Sequence, residues 1–202
     1  MKNFLIGLLT ISPFFGGLSA EEFKKGVYGY IDGGIGKYSD LDVLGTNSKI
    51  EYETGFGYEI GLGYDFGKRF RTEIIYANQQ SNIDTILGIN ASGDFDFSTF
   101  ALMGYIDFPT STNWSPFIGA GIGNSDINYG QVCLSTGVCA TSTADDFTSY
   151  SLALGTSYKL NASTDVVGKF TYRGFSDINF SDNTTVEDSE TITTSVGLRF
   201  YF

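Results

Sequence analysis

The chain has 202 residues, a formal net charge of −11, two cysteines and no histidine. So large an acidic excess excludes a general nucleic-acid binder, because neutralising phosphates takes clustered Lys and Arg, and the missing histidine excludes a Ser-His-Asp triad or a His-ligated metal site. Gly (26), Tyr (13) and Phe (18) are abundant while Pro (3) and Met (2) are scarce, as expected of one domain built from many strands with aromatic faces.

Residues 1–20 stand apart from the rest. Lys2 supplies a positive start, Phe4 to Leu18 is nearly all apolar or small, and Leu18-Ser19-Ala20 precedes Glu21-Glu22. This is the layout of a secretory signal peptide cut after Ala20, leaving a mature domain of residues 21–202. The other reading is a membrane anchor, but Pro13 and Gly16-Gly17 interrupt the run, which falls short of the ~20 residues a spanning helix needs. No later stretch could cross a bilayer as a helix.

From Val27 onward the chain alternates with period two. Val27 to Lys37 reads as a first strand, with Val27, Ile31 and Ile35 on one face and Tyr28, Tyr30 and Asp32 on the other. The clearest strand is Phe56 to Phe66. Phe56, Tyr58, Ile60, Leu62, Tyr64 and Phe66 share one face, and Gly57, Glu59, Gly61, Gly63 and Asp65 share the opposite one. A soluble sandwich would also alternate; the recurrence of glycine and charge on the smaller face is what a narrow polar lumen requires. At ~3.3 Å per residue and a tilt of ~40°, Phe56 and Phe66 are ~25 Å apart along the normal, the height of a transmembrane apolar band.

The same reading gives a third strand from Arg69 to Gln79, with Thr72, Ile74 and Tyr76 outward and Arg71 and Glu73 inward. A fourth, Phe97 to Phe108, admits either register; the preferred one places Phe100, Leu102, Ile106 and Phe108 outward and Tyr105 and Asp107 inward. A fifth, Pro116 to Ser125, carries Ile118, Ala120 and Ile122 outward over Gly119, Gly121 and Gly123. A sixth, Thr148 to Leu160, exposes Leu152, Leu154, Tyr158 and Leu160 and turns Lys159 inward. A seventh, Asp165 to Gly174, has Val166, Phe170 and Tyr172 outward and Lys169 and Arg173 inward. The last, Thr191 to Phe202, points Val196, Leu198, Phe200 and Phe202 outward and Arg199 inward. The turns at Gly67-Lys68, Thr110 to Ser115 and Asn161 to Thr164 are short. The connections Lys37 to Thr54, Gln80 to Asp96, Asp126 to Phe147 and Phe175 to Glu190 are long and polar. Short turns on one side and long loops on the other describe an all-β, eight-stranded antiparallel up-and-down transmembrane β-barrel, whose first and last strands should pair so that no edge faces lipid. The expected address is the bacterial outer membrane.

The ending Ser195-Val-Gly-Leu-Arg-Phe-Tyr-Phe202 resembles the C-terminal strand of bacterial outer-membrane proteins, and Ser115-Pro-Phe-Ile-Gly-Ala-Gly-Ile-Gly123 resembles the fifth-strand signature of the OmpA-like and opacity-protein barrel group. The resemblance implies that Phe200 and Phe202 form the signal read by the barrel-assembly machinery. It also implies that Glu73, Lys169 and Arg199 belong to a buried ion-pair network inside the barrel. The peptidoglycan-binding domain that follows some OmpA-like barrels is absent from this sequence.

Three groups of residues are candidates for function. The inward charges are Asp32, Glu59, Asp65, Arg71, Glu73, Asp107, Lys159, Lys169, Arg173 and Arg199. They could form a gate with exchangeable salt bridges, but an eight-stranded lumen is about filled by its own side chains, which favours a polar plug. The second group is acidic: Asp40, Asp42, Glu51 and Glu53, then Asp94 and Asp96, Asp145 and Asp146, and Asp182, Glu187, Asp188 and Glu190. None has the spacing of a calcium loop, and hydrated surface charge is the simpler reading. Third, Cys133 and Cys139 lie six positions apart in a polar segment, and in an exported protein they should close a small disulfide loop.

Ser-Lys chemistry has no motif to support it, and Gly119 to Gly123 is no dinucleotide fingerprint without a following helix. No catalytic residue, cofactor or metal is therefore expected. The function expected is a rigid scaffold presenting long loops for surface interaction or adhesion. A small porin-like channel is the alternative, motivated by the charged lumen and the Gly-lined fifth strand. A lipocalin-like soluble binder is set aside because the larger apolar face lies outside. Expected partners are outer-membrane lipid and lipopolysaccharide, the assembly machinery and an extracellular surface partner, with the protein a monomer.

Overall fold

Wherever apolar and polar residues alternate, the chain forms antiparallel strand. The computed structural model describes residues 25–39, 41–42, 49–67, 69–86, 89–137, 139–176, 178–179, 185–186 and 189–202; the expected signal peptide, residues 1–20, lies outside them. Eight strands make the wall: β1 (Lys25–Tyr38), β2 (Gly55–Phe66), β3 (Phe70–Ile86), β4 (Asp94–Asp107), β5 (Trp114–Leu134), β6 (Cys139–Lys159), β7 (Thr164–Phe175) and β8 (Glu190–Tyr201). Each pairs with the next. β1 pairs with β8 from Tyr28↔Tyr201 to Tyr38↔Thr191, which closes the barrel and removes its edges.

Strand orientation follows the alternation. Ile31, Ile35, Leu62, Ile74, Leu102, Ile122, Leu154, Phe170 and Val196 are exposed on the outer face, as befits lipid contact. The outer aromatics gather at two levels. Tyr64–Phe66 (ring centroids 5.0 Å apart) and Trp114–Tyr158 (4.8 Å) lie toward the short turns, and Tyr58–Tyr76 (6.4 Å) and Tyr150–Tyr172 (6.3 Å) toward the long connections. Paired girdles of this kind mark the two interfaces of a membrane band.

Two of the four connections expected as long polar loops are mostly wall. β3 runs on to Ile86 and β4 begins at Asp94, while β5 and β6 extend 21 residues each to Leu134 and from Cys139. Polar outward residues looked like loop because the environment changes while the pleat does not. On β5 the outer face reads Ile118, Ala120, Ile122, then Asn124, Asp126, Asn128, all exposed; the inner face above Gly123 carries buried Ser125 and Ile127. Past the lipid, water replaces hydrocarbon outside, so polar residues face out and apolar ones face in. Short strands at Leu41–Asp42, Lys49–Tyr52 and Ile89–Ser92 add to this upper wall, and Ile178–Asn179 pairs with Thr185–Val186.

Cys133 and Cys139 are disulfide-bonded at directly paired positions of β5 and β6, beside the turn where Gly137 takes a φ of +89°. Closing so small a loop contributes roughly 2 kcal/mol of constraint. Reduction is therefore expected to speed amide exchange at the tip of the β5–β6 hairpin and leave the lipid-facing strands protected. Mass spectrometry of exchange before and after reductant checks this; loss of protection throughout the wall would show that the tip holds the barrel together.

Candidate functional site: the filled lumen and its outer seal

From the short-turn end upward, the lumen is occupied in three tiers. At the mouth, Asp65, Asp107, Asp165, Lys159, Arg199 and Tyr201 surround a recess of about 90 Å³. Arg199 Nη1 lies 3.7 Å from Asp165 Oδ2 and donates to the Tyr201 hydroxyl at 3.2 Å; that hydroxyl donates to Asp65 Oδ2 at 3.3 Å. Just above, Arg71 is 2% exposed. Its Nη1 pairs with Glu73 Oε1, its Nε reaches Asp107 Oδ2 at 3.0 Å, and its guanidinium stacks 3.8 Å from the Tyr105 ring centroid. Tyr28 donates a further hydrogen bond to Glu73 at 2.8 Å.

The second tier centres on Lys169. Its Nζ lies 2.6 Å from Glu59 Oε1 and 3.2 Å from Asp32 Oδ2. Arg173 Nη2 approaches Glu59 Oε2 at 3.7 Å, and its Nε donates to Ser151 at 3.0 Å. Asp32 also accepts from Ser195 at 2.9 Å and from the Tyr30 hydroxyl. All these side chains are buried, so each charge depends on its partners for what water would otherwise supply. A void of about 30 Å³ beside Asp32, Glu59, Lys169 and Arg173 has room for about two water molecules.

The three residues singled out by resemblance thus have different partners. Glu73 is held by Arg71 and Tyr28, Lys169 by Glu59 and Asp32, and Arg199 by Asp165 and Tyr201. Alternation identifies which side chains point inward, whereas the partner depends on position around the wall: Lys169 on β7 reaches Glu59 on β2 across the lumen. The glycines of β5 do not line an open bore either. A Cβ at Gly119 would collide with the Tyr105 ring and one at Gly121 with the Met103 sulfur. These glycines are sockets that admit large side chains from β4.

The third tier escaped the sequence reading. Above the ions, Tyr38, Phe95, Phe97, Phe147 and Phe175 pack with Ile83, Ile127 and Ile178 into a buried apolar cluster. Phe97, with no exposed surface, lies 5.7 Å from the Tyr38 ring centroid, 6.3 Å from Phe147 and 4.7 Å from Phe175. Each such aromatic pair is worth about 0.5–1.5 kcal/mol beyond the area it buries. The signal was present: Phe95 and Phe97 are in phase with inward Tyr105 on β4, and Phe147 with Ala153 on β6.

Of the acidic residues expected in loops, Asp94 and Asp96 stand on the outer face of β4. Glu53 accepts from Asn82 at 3.3 Å, and Glu190 accepts from Tyr172 at 2.6 Å. Asp40, Asp182, Glu187 and Asp188 lie outside the described residues, as do the side chains of Asp42, Glu51, Asp145 and Asp146. Among the described residues no group of His, Cys, Asp and Glu could hold a metal ion. At the C-terminus Phe200 and Phe202 are exposed, and the Phe202 backbone N–H donates to Val27 O at 3.1 Å.

Residues 7–200 match the family model described as outer membrane protein beta-barrel domain. The chain belongs to this outer-membrane β-barrel family. No curated protein sequence matches it. Among solved structures it is similar to Neisserial surface protein A, with 20% identity over 87% of this chain and 97% of that one and a TM-score of 0.62. Two others are OprG from Pseudomonas aeruginosa (15%, 88% and 97%, TM-score 0.52) and the attachment invasion locus protein Ail of Yersinia pestis in complex with the heparin analogue sucrose octasulfate (14%, 88% and 99%, 0.51). At these identities the likeness is one of fold: a closed, eight-stranded outer-membrane barrel.

Proposed function

We propose that this outer-membrane barrel is a sealed pedestal whose polar upper wall meets other molecules at the cell surface, and not a solute channel. The observation that carries the reading is the double closure of the lumen, by buried ion clusters and then by the Phe97-centred cluster. Sealing a lumen twice is consistent with a load-bearing plug, while a wall two strands of which run 21 residues far exceeds what crossing lipid requires. Ail, similar in fold, is named for attachment. Its sulfated ligand is not what this chain should favour, since a net charge of −11 repels polyanions and attracts basic surfaces.

Membrane lipid and lipopolysaccharide would contact the outer apolar face, and Phe200 and Phe202 on the closing strand would serve the assembly machinery. The protein would act as a monomer. The porin-like alternative needs the aromatic cluster displaced. Ion conductance of the refolded mature protein in planar lipid bilayers tests the choice: no discrete steps are expected. Steps altered by replacing Glu73 or Arg199 would establish a channel and remove the pedestal reading.

A further inference from the structure

β1 enters the wall at the short-turn end, beside the recess of about 90 Å³ in the mouth of the lumen. Gly26 stands directly opposite Asp65, which lines that recess, and takes a φ of +139°, a conformation that suits glycine and few other residues. The chain therefore leaves the regular pleat at the level of the recess. Farther along β1, Tyr28 faces inward, while Lys25 before the bend faces outward. Glu21-Glu22-Phe23-Lys24 precede the strand and lie outside the described residues. The expected cut after Ala20 makes them the first four residues of the mature protein.

The charges around the recess are matched only in part. Asp65, Glu73, Asp107 and Asp165 face two buried guanidiniums, Arg71 and Arg199, so acid is in excess inside the mouth. Asp65 accepts from the Gly67 N–H at 2.8 Å and from Tyr201 at 3.3 Å but has no ion pair among the described residues. Arg69 and Lys159 line the same recess, are only half-buried, and have no ion pair among the described residues either. Arg199 is 3% exposed, and its Nε and Nη2 are left without an acceptor. One occupant would answer all of this: a group that brings an ammonium to the acids and carboxylate oxygens to the cations.

The entering segment carries its charges in that order. Lys24 comes first from the wall, followed by Glu22 and Glu21. Four extended residues span about 13 Å at ~3.3 Å each, enough to cross the narrow mouth of an eight-stranded barrel. A free zwitterion would meet the same charges, but so short a tether holds the segment at an effective concentration on the order of millimolar.

We propose that residues 21–24 fold across the short-turn mouth, with Lys24 against Asp65 and the carboxylates of Glu21 and Glu22 on Arg69, Lys159 and Arg199. The pairing stands on the recess alone and holds whether or not the lumen conducts.

Intact mass of the protein taken from outer membranes gives the position of the cut; a mature chain that starts beyond Glu22 would overturn the proposal. Contact is tested on the refolded mature protein in nanodiscs with a zero-length carbodiimide, which joins a carboxylate to an amine only where the two touch. A link from Glu21 or Glu22 to Lys159 is expected, and none from either to Lys37, exposed at the far end of β1. Acetylation of Lys159 should run at least about twofold faster in E21Q/E22Q and in a variant lacking residues 21–24, the scale of a partly exposed ion pair. Lys37 should react alike in all three proteins, and heat-modifiable migration on a gel confirms that each is folded. Absence of the Lys159 link in the folded protein, or Lys159 acetylation that neither change alters, would sink the idea. Protection of Lys159 that appears only with added alanine or phosphate would assign the recess to a solute and overturn it as well.

Discussion

Replacing Glu59 with alanine is expected to cost the folded barrel about 3–5 kcal/mol, because it leaves buried cations short of their counter-charge. Glu59 holds Lys169 at 2.6 Å and Arg173 at 3.7 Å, and all three are buried. The remaining acid of the cluster, Asp32, already serves Lys169 at 3.2 Å and accepts from Ser195 and Tyr30. It cannot neutralise two cations. Urea unfolding of the refolded protein in lipid vesicles measures the loss. The quadruple variant D32N/E59L/K169M/R173L removes both cations together with their acids, so it should recover much of the stability. A loss below about 1 kcal/mol in E59A would mean that water reaches this tier and screens the charges.

The second large effect belongs to Phe97. Phe97→Ala is expected to cost about 3–5 kcal/mol, the usual toll of removing a fully buried aromatic side chain. Phe97 has no exposed surface and touches the rings of Tyr38, Phe147 and Phe175. Its loss also opens the tier that closes the lumen above the ions. Liposomes carrying F97A should therefore leak small ions faster than those carrying the unsubstituted protein. A variant as destabilised as expected but just as tight would assign the whole seal to the ion clusters below.

The sequence disclosed the wall more fully than its contents. Alternation survives every change of environment, so the inward and outward faces of seven strands are legible; β4, where Phe97 and Phe100 fall on opposite faces, has apolar residues in both phases, and only the structure fixes its register. Strand ends were misread on β3, β5 and β6, because outward Asn82 or Asn128 looks like loop unless water is already known to lie outside. The partners of the inward charges were not legible. Arg71 takes an acid two residues along its own strand, whereas Lys169 takes one 110 positions away, and no local pattern separates these cases.

The unequal strand lengths have a consequence for how the protein meets its surroundings. β2, β7 and β8 have 12 residues each, while β5 and β6 have 21. Above Ile122 the β5 strand continues for about 40 Å of chain at ~3.3 Å per residue. Among the eight wall strands the β5–β6 hairpin therefore reaches furthest above the membrane band. A large body approaching from solution over these strands meets the disulfide-tipped finger of β5 and β6 before the ends of β2, β7 and β8. Neighbours crowding against that flank of the barrel are kept at a distance.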